Sequence, residues 1–254
     1  MAKNENGNAK EKGGQLEVVR DFQVPTILNE QDFQEELDGL TLSFTNVKIP
    51  SGGGLYFEVP GDDEEPDAVK VLEGVIVHHH PVNAFWSEAY TGGNEPPDCF
   101  SMDGKQGQGD PGKQCQYCEY NEWGSGKDGT GKACQNRRRL YLLREGEIFP
   151  LLLSLPPTSI GNFGSYLSRA ILQKGLRSYG VVSEVKLKKA TNKGGIEYSQ
   201  AHFKLKDPLE PQVALQLKDY GRAVKAFAGG VSVQDVEGQD QSSMFEGEDV
   251  TDLV

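Results

Sequence analysis

The sequence predicts an α+β fold, mainly β, with a small barrel among its possible architectures. Three observations carry this. Apolar residues recur in short runs, Gly- and Pro-rich stops separate those runs, and the regular strand–helix rhythm of a parallel sheet is missing. At 254 residues and 36% hydrophobic content, the chain suits one or two ordinary domains with a modest core and substantial loop or tail.

The elements follow in order. Residues 1–14 are polar, Gly-rich and aperiodic, and are expected to form a disordered arm ahead of a core at 15–227. Asp32 to Leu37 reads as one or two helical turns. Leu42, Phe44, Val47 and Ile49 alternate, with one slip, up to the stop at Pro50 and Gly52-Gly53-Gly54. Leu55 to Val59 is a second strand, ended by an acidic turn through Asp62, Asp63 and Glu64. Val69 to Val77 is a third, and it runs into His78-His79-His80 and Phe85-Trp86. Arg139–Leu143 and Ile148–Leu153 frame the turn Glu145-Gly146-Glu147, the pattern of a hairpin. Pro156-Pro157-Thr158-Ser159 then supplies a stop and an N-cap. A helix over roughly 160–174 places Phe163, Tyr166, Leu167, Ala170 and Ile171 at spacings of three and four. A second hairpin is expected over 180–206, turning at Asn192-Lys193-Gly194-Gly195. Pro208 and Pro211 introduce a last amphipathic helix to about Phe227. Both helices are expected to be short. Residues 228–254 read as an acidic disordered tail.

A net charge of −12 at first argues against a nucleic-acid partner. The charge is segregated, however. Residues 1–136 carry 10 basic and 24 acidic groups, residues 137–225 carry 16 and 7, and residues 226–254 carry 7 acidic groups and no Lys or Arg. A basic segment of +9 is therefore flanked by acidic ones. No apolar run approaches the roughly 20 residues of a spanning helix, so no membrane partner is expected. The charged start has no apolar stretch behind it, so no secretory signal is read and a reducing cytoplasm is the expected compartment.

The four cysteines, Cys99, Cys115, Cys118 and Cys134, fall as C-x15-C-x2-C-x15-C within the Gly- and Asn-rich insert 91–136. The central pair has the knuckle spacing that lets two thiolates reach one tetrahedral Zn²⁺, and the outer pair completes four ligands. The insert has too little apolar content to order itself, and a metal cluster supplies about 10 kcal/mol of folding free energy. Free buried thiols, a C-x-x-C redox pair, or a histidine from His78-His79-His80 in place of Cys99 are the competing readings. Four thiolates would close the site, so the zinc is expected to be structural. Gly126 to Lys132 fits G-x4-G-K, but Ala133 follows where a P-loop needs Ser or Thr, and ATP binding is discounted.

Basic and aromatic residues are interleaved around and after this insert. A single-strand binder needs that pairing, because cations follow the phosphates while rings stack on bases. The candidates are Trp86, Trp123, Lys132, Arg137, Arg138, Arg139, Tyr141, Tyr166, Lys186, Lys188 and Lys189. The competing reading places the rings in the core and the cations on a solvated face. In the tail, Phe245, Asp249, Asp252 and Leu253 suggest a peptide that partner proteins grip or that competes for the basic groove. Simple solubilising disorder is the alternative.

This combination resembles the bacteriophage and prophage family of zinc-containing single-stranded DNA-binding proteins. The resemblance rests on Cys115-Gln116-Tyr117-Cys118, Asn121-Glu122-Trp123-Gly124-Ser125 and Gly131-Lys132-Ala133-Cys134-Gln135-Asn136-Arg137-Arg138. It continues through Leu140-Tyr141-Leu142-Leu143, Pro150 and Leu155-Pro156-Pro157-Thr158-Ser159, covering about residues 70–205. It implies an OB-type barrel with a zinc-stapled loop insertion that coats exposed strands in phage replication or recombination, inside a bacterial host. It further implies replication or recombination proteins as partners of the tail. Two other functions compete. One is a zinc-ribbon adaptor recruiting replication or transcription proteins. The other is a metal-dependent nuclease using Asp62, Asp63 and Glu64, which lack partner histidines at ligand spacing; no enzymatic activity is expected.

Overall fold

The computed structural model describes residues 18–19, 22–25, 43–61, 65–88, 96–127, 129–192 and 194–228. The expected arm, the turns at Asp32–Leu37, the run Asp62-Asp63-Glu64 and the tail residues Phe245, Asp249, Asp252 and Leu253 lie outside the described residues. The strands are β1 (Asn46–Val47), β2 (Phe57–Val59), β3 (Asp67–Val69), β4 (Val71–Phe85), β5 (Cys99–Ser101), β6 (Gln108–Gly109), β7 (Gln135–Leu143), β8 (Leu151–Leu155), β9 (Val181–Thr191) and β10 (Glu197–Pro208). The helices are α1 (Pro157–Ser165) and α2 (Pro211–Ala228). The fold is thus mixed α+β and mainly sheet.

Everything is organised on β4. Val75 to Ala84 pair antiparallel with β7, Asn83 to Phe85 pair with β5, and Val71 to Gly74 pair with β9. β8 pairs antiparallel with β7 and parallel with β1, and β9 pairs with β10 along the expected second hairpin. A register shift between Ile76 and His78 turns the strand, as a bulge does, so that Val77 and His78 share the Tyr141 face while His79 points to the other.

The period-two alternation of a strand then fills two cores. Ile76, Leu140, Leu142, Leu153 and Leu155 join Phe57, Phe163, Val185 and Ala201 in one. Val75, Val77, Tyr141, Leu143 and Leu152 join Leu217, Tyr220 and Val224 of α2 in the other. Hence the unbroken apolar run Leu140–Leu143 is a strand covered on both sides, each buried leucine worth about 1.5–3 kcal/mol.

α1 begins earlier than its periodicity suggests. Pro156 occupies the N-cap position and Pro157 opens the helix, where a missing N–H costs nothing and φ is preset. Ser159 therefore does not cap it. Its buried hydroxyl accepts the Ala201 N–H at 3.0 Å, while Asn162 Nδ2 donates to Ala201 O at 3.0 Å and Gln200 Nε2 to Thr158 O at 2.7 Å. These bonds rivet α1 to β10. The helix widens into a π turn at Tyr166–Ile171 and tightens to a 3-10 turn at Leu172–Lys174. α2 spans 18 residues and is not short. It packs through Leu217, Tyr220, Gly221, Val224 and Ala228, an apolar stripe at spacings of three and four.

The strand ladder does not close into a barrel among the described residues. The edge of β8 that β10 would need is occupied by β1, so the path ends open. The loop before β2 spans the gap by a side-chain bond, Ser199 Oγ to Gly54 O at 2.8 Å.

Candidate cysteine centre and nucleic-acid interface

The cysteine segment forms a knob beyond the C-terminal end of β4. Cys99 stands on β5 opposite Phe85, and Cys115 and Cys118 flank the 3-10 turn Cys115–Tyr117. Backbone bonds fix the rest: Cys115 N–H to Lys105 O and Cys134 N–H to Tyr120 O, both 2.7 Å. Asn121 Nδ2 adds a bond to Cys115 O at 2.8 Å, and the Tyr120 ring stacks on Phe85 with centroids 4.1 Å apart. All four cysteines line one cavity of about 20 Å³, together with Phe85 and Asn121. A space of that size admits a single water-sized occupant.

Burial and then the three neighbouring sulfurs push the Cys134 thiol up to about 12. Burial likewise raises Cys99, against a hydrogen bond from the Gly112 backbone. Such thiols stay neutral unless a cation reverses the balance. Gly107 passes so close that a Cβ there would lie 2.9 Å from Cys99 Sγ. Among the described residues, no group of three or more His, Cys, Asp or Glu side chains is arranged to hold a metal ion. The thiols converge on one space but are not set as a coordination shell.

The expected single-strand contacts divide into three sets. Around the knob, Trp123 is 54% exposed, Lys132 is exposed with Nζ 3.2 Å from Asn121 Oδ1, and Trp86 is half-buried just past β4. At the other end of β4, Lys186 and Lys188 project from β9, and Lys189 sits near the hairpin tip. Lys186 pairs with Glu184 at 2.7 Å and Lys189 with Glu197 at 2.5 Å.

The third set is internal and corrects the sequence reading. Tyr141 is 0% exposed, wedged among His78, His80 and Phe44. Tyr166 is buried too, its hydroxyl 2.7 Å from Ser183 Oγ. Neither ring can stack on a base. Arg139 is fully buried and Arg137 nearly so, because alternate positions of β7 face the sheet's covered side; Arg139 Nη1 reaches Met102 Sδ at 3.8 Å. Arg138 points to the opposite face, half-buried, with its guanidinium 5.9 Å from the Phe163 ring centroid.

The histidine run is structural in its surroundings. His79 packs edge-on to Phe163 at 5.1 Å, and burial, reinforced by Arg138, holds its pKa down to about 4. His78 is likewise lowered to about 4, first by burial and then by His80 and Lys225.

One exposed ring escaped the sequence reading. Tyr117 is 72% exposed, more open than Trp123. The signal was present, since two thiols turned inward across a C-x-x-C turn leave the two residues between them, Gln116 and Tyr117, pointing out.

Comparison with family models, with curated proteins and with solved structures finds no match to the chain. What the fold defines is therefore its class: an α+β protein, mainly sheet, with a cysteine knob at one end of its longest strand and a lysine-bearing hairpin at the other. No helix among the described residues is long and apolar enough to cross a membrane.

Proposed function

We propose that this protein is a non-catalytic, sequence-tolerant single-stranded DNA-binding protein of the phage replication or recombination type. The carrying observation is the pair of open rings, Tyr117 at 72% and Trp123 at 54% exposure, held on an ordered knob beside Lys132. Exposed aromatics are costly in water and useful for bases, each stack being worth about 1–3 kcal/mol.

Strand order lends support. β4, β7, β8, α1, β9 and β10 follow the connectivity of an OB-type barrel, with β9 returning to pair with the start of β4. In that fold the loops after the first and fourth strands engage oligonucleotides. The equivalent segments here are the knob and the hairpin turn. The likeness is one of fold alone, and function is carried by the site.

The same proposal includes a structural Zn²⁺ held by Cys99, Cys115, Cys118 and Cys134. Support comes from their sharing one small cavity and from the shortage of other core in the knob. Zinc bound there would lower the thiol pKa values and supply folding free energy. The acidic tail, with Phe245, Asp249, Asp252 and Leu253, is proposed to recruit replication or recombination proteins and to compete for the lysines.

Titration with oligo(dT) and with duplex DNA tests the reading. Trp fluorescence should be quenched by the single strand, with affinity falling steeply with salt, log K against log salt having a slope near −0.7 per phosphate neutralised. Equal affinity for both DNA forms would sink it. Protein capture by the knob without DNA binding would favour the adaptor instead. Deleting 232–254 should tighten DNA binding at low salt.

A further inference from the structure

We propose that the loop carrying Tyr56, held against the β9–β10 hairpin, is a second base-stacking station for the same single strand; this rests on the single-strand reading above. Tyr56 is 49% and Leu55 43% exposed, and Ile196 in the hairpin turn is 38% exposed. The segment is nevertheless tightly held. Ser199 Oγ donates to Gly54 O at 2.8 Å. A Cβ on Gly53 would lie 3.0 Å from Lys189 Cγ, so the lysine stem lies directly over the loop, and Gly53 itself needs its positive φ of 79°. On the far side, Lys48 and Glu58 exchange backbone bonds of 3.0 and 3.1 Å. An exposed ring on a loop fixed at both ends loses little entropy when a base stacks on it.

The charges nearby suit a phosphate. The stem of Lys189 lies over the loop, and its pair with Glu197 is at the surface, where such pairs contribute little and exchange readily. Glu58 lies two residues from Tyr56 in the chain, and Lys48 stands directly across the bridge from it.

This station is remote from the knob. The knob lies beyond Phe85, whereas β9 runs antiparallel from its Lys186–Val71 pairing to a tip past the start of β4. The two ends are separated by a strand of 15 residues, up to about 50 Å if straight. A long single strand can touch both stations; a very short one cannot.

The test compares the full chain with Tyr56→Ala and Tyr56→Phe. The probes are oligo(dT) of about 5 and about 30 nucleotides, read by anisotropy and Trp quenching. Tyr56→Ala should weaken the long oligonucleotide about tenfold and leave the short one unchanged, with knob quenching intact. Tyr56→Phe should bind like the parent. Unchanged long-oligonucleotide affinity in Tyr56→Ala, while the parent binds and is quenched, overturns the second station alone. An equal loss on both lengths also overturns it, by placing Tyr56 in the primary site. A parent that binds neither length fails the functional reading itself.

Discussion

Tyr141 and His80 lie ring on ring across β7 and β4, centroids 5.8 Å apart and planes 20° from parallel, with Tyr141 Oη 3.2 Å from His80 Nε2. His80 Nδ1 is within 2.8 Å of Met102 O and 3.1 Å of Pro81 O, and both partners can only accept. Nδ1 therefore carries the proton, and Tyr141 donates to Nε2. Tyr141→Phe should lower stability by about 1 kcal/mol and leave single-strand affinity unchanged. Urea midpoints and an oligo(dT) titration on the same variant decide it. A selective loss of DNA binding would restore the surface role that the sequence suggested.

Stability should fall with acid before the carboxylates titrate. His78 and His79 have folded pKa values of about 4 against an ordinary 6.5, and burial also lowers His80. Between those values the unfolded chain binds more protons than the folded one, so unfolding free energy rises with pH. The contribution is complete above pH 6.5 and is lost on descent toward pH 4. Arg138, Arg139 and Lys225 beside the histidines reinforce that direction. Melting temperatures from pH 7.5 to 4.5 should decline, and His79→Gln should flatten the slope. A flat profile in the parent would contradict the buried-histidine account.

Gly221 lets α2 lie directly on β4. A Cβ there would meet Val77 O at 2.3 Å, a backbone atom that cannot move without the sheet. Gly221→Ala gains helix propensity yet should cost about 1–3 kcal/mol overall. Hydrogen exchange should localise the loss to α2 and to the face of β4 around Val77. A more stable variant would mean that the helix sits farther from the sheet.

Metal analysis of protein purified without chelator should find about one zinc per chain. Cys134→Ser should abolish it and expose residues 99–134 to protease, since the buried Cys134 thiol shares one cavity with the other three and would be one of four ligands. Full protection of that segment in a zinc-free variant would leave packing alone to explain the knob.

Much of the chain can be read without coordinates. The short apolar runs Leu140–Leu143 and Leu151–Leu155, the Gly146 turn and the Asn192–Gly195 turn specify strands and hairpins locally. Period and turn chemistry are properties of neighbouring residues. The grouping of four cysteines in one weakly apolar insert is equally local. The site was less legible. Tyr141, Tyr166, Arg137 and Arg139 look like surface contacts in sequence, because an aromatic or a cation carries no mark of the layer above it. Tyr117 and Tyr56 were passed over for the converse reason.

By itself the sequence determined the two hairpins β7–β8 and β9–β10 and the start of β4, the final helix from Pro211, the cysteine pattern and the segregation of charge, but not β3, β5 or β6. Only the tertiary structure decided which face of each strand is covered. α2 lies over Tyr141 and His78, and α1 lies over His79 beside Arg138, while the knob leaves Tyr117 and Trp123 in solvent. It also decided that β1 occupies the edge of β8 and leaves the ladder open. The physical reason is that burial depends on what packs from a distance in the chain, and alternation names two faces without saying which one meets water.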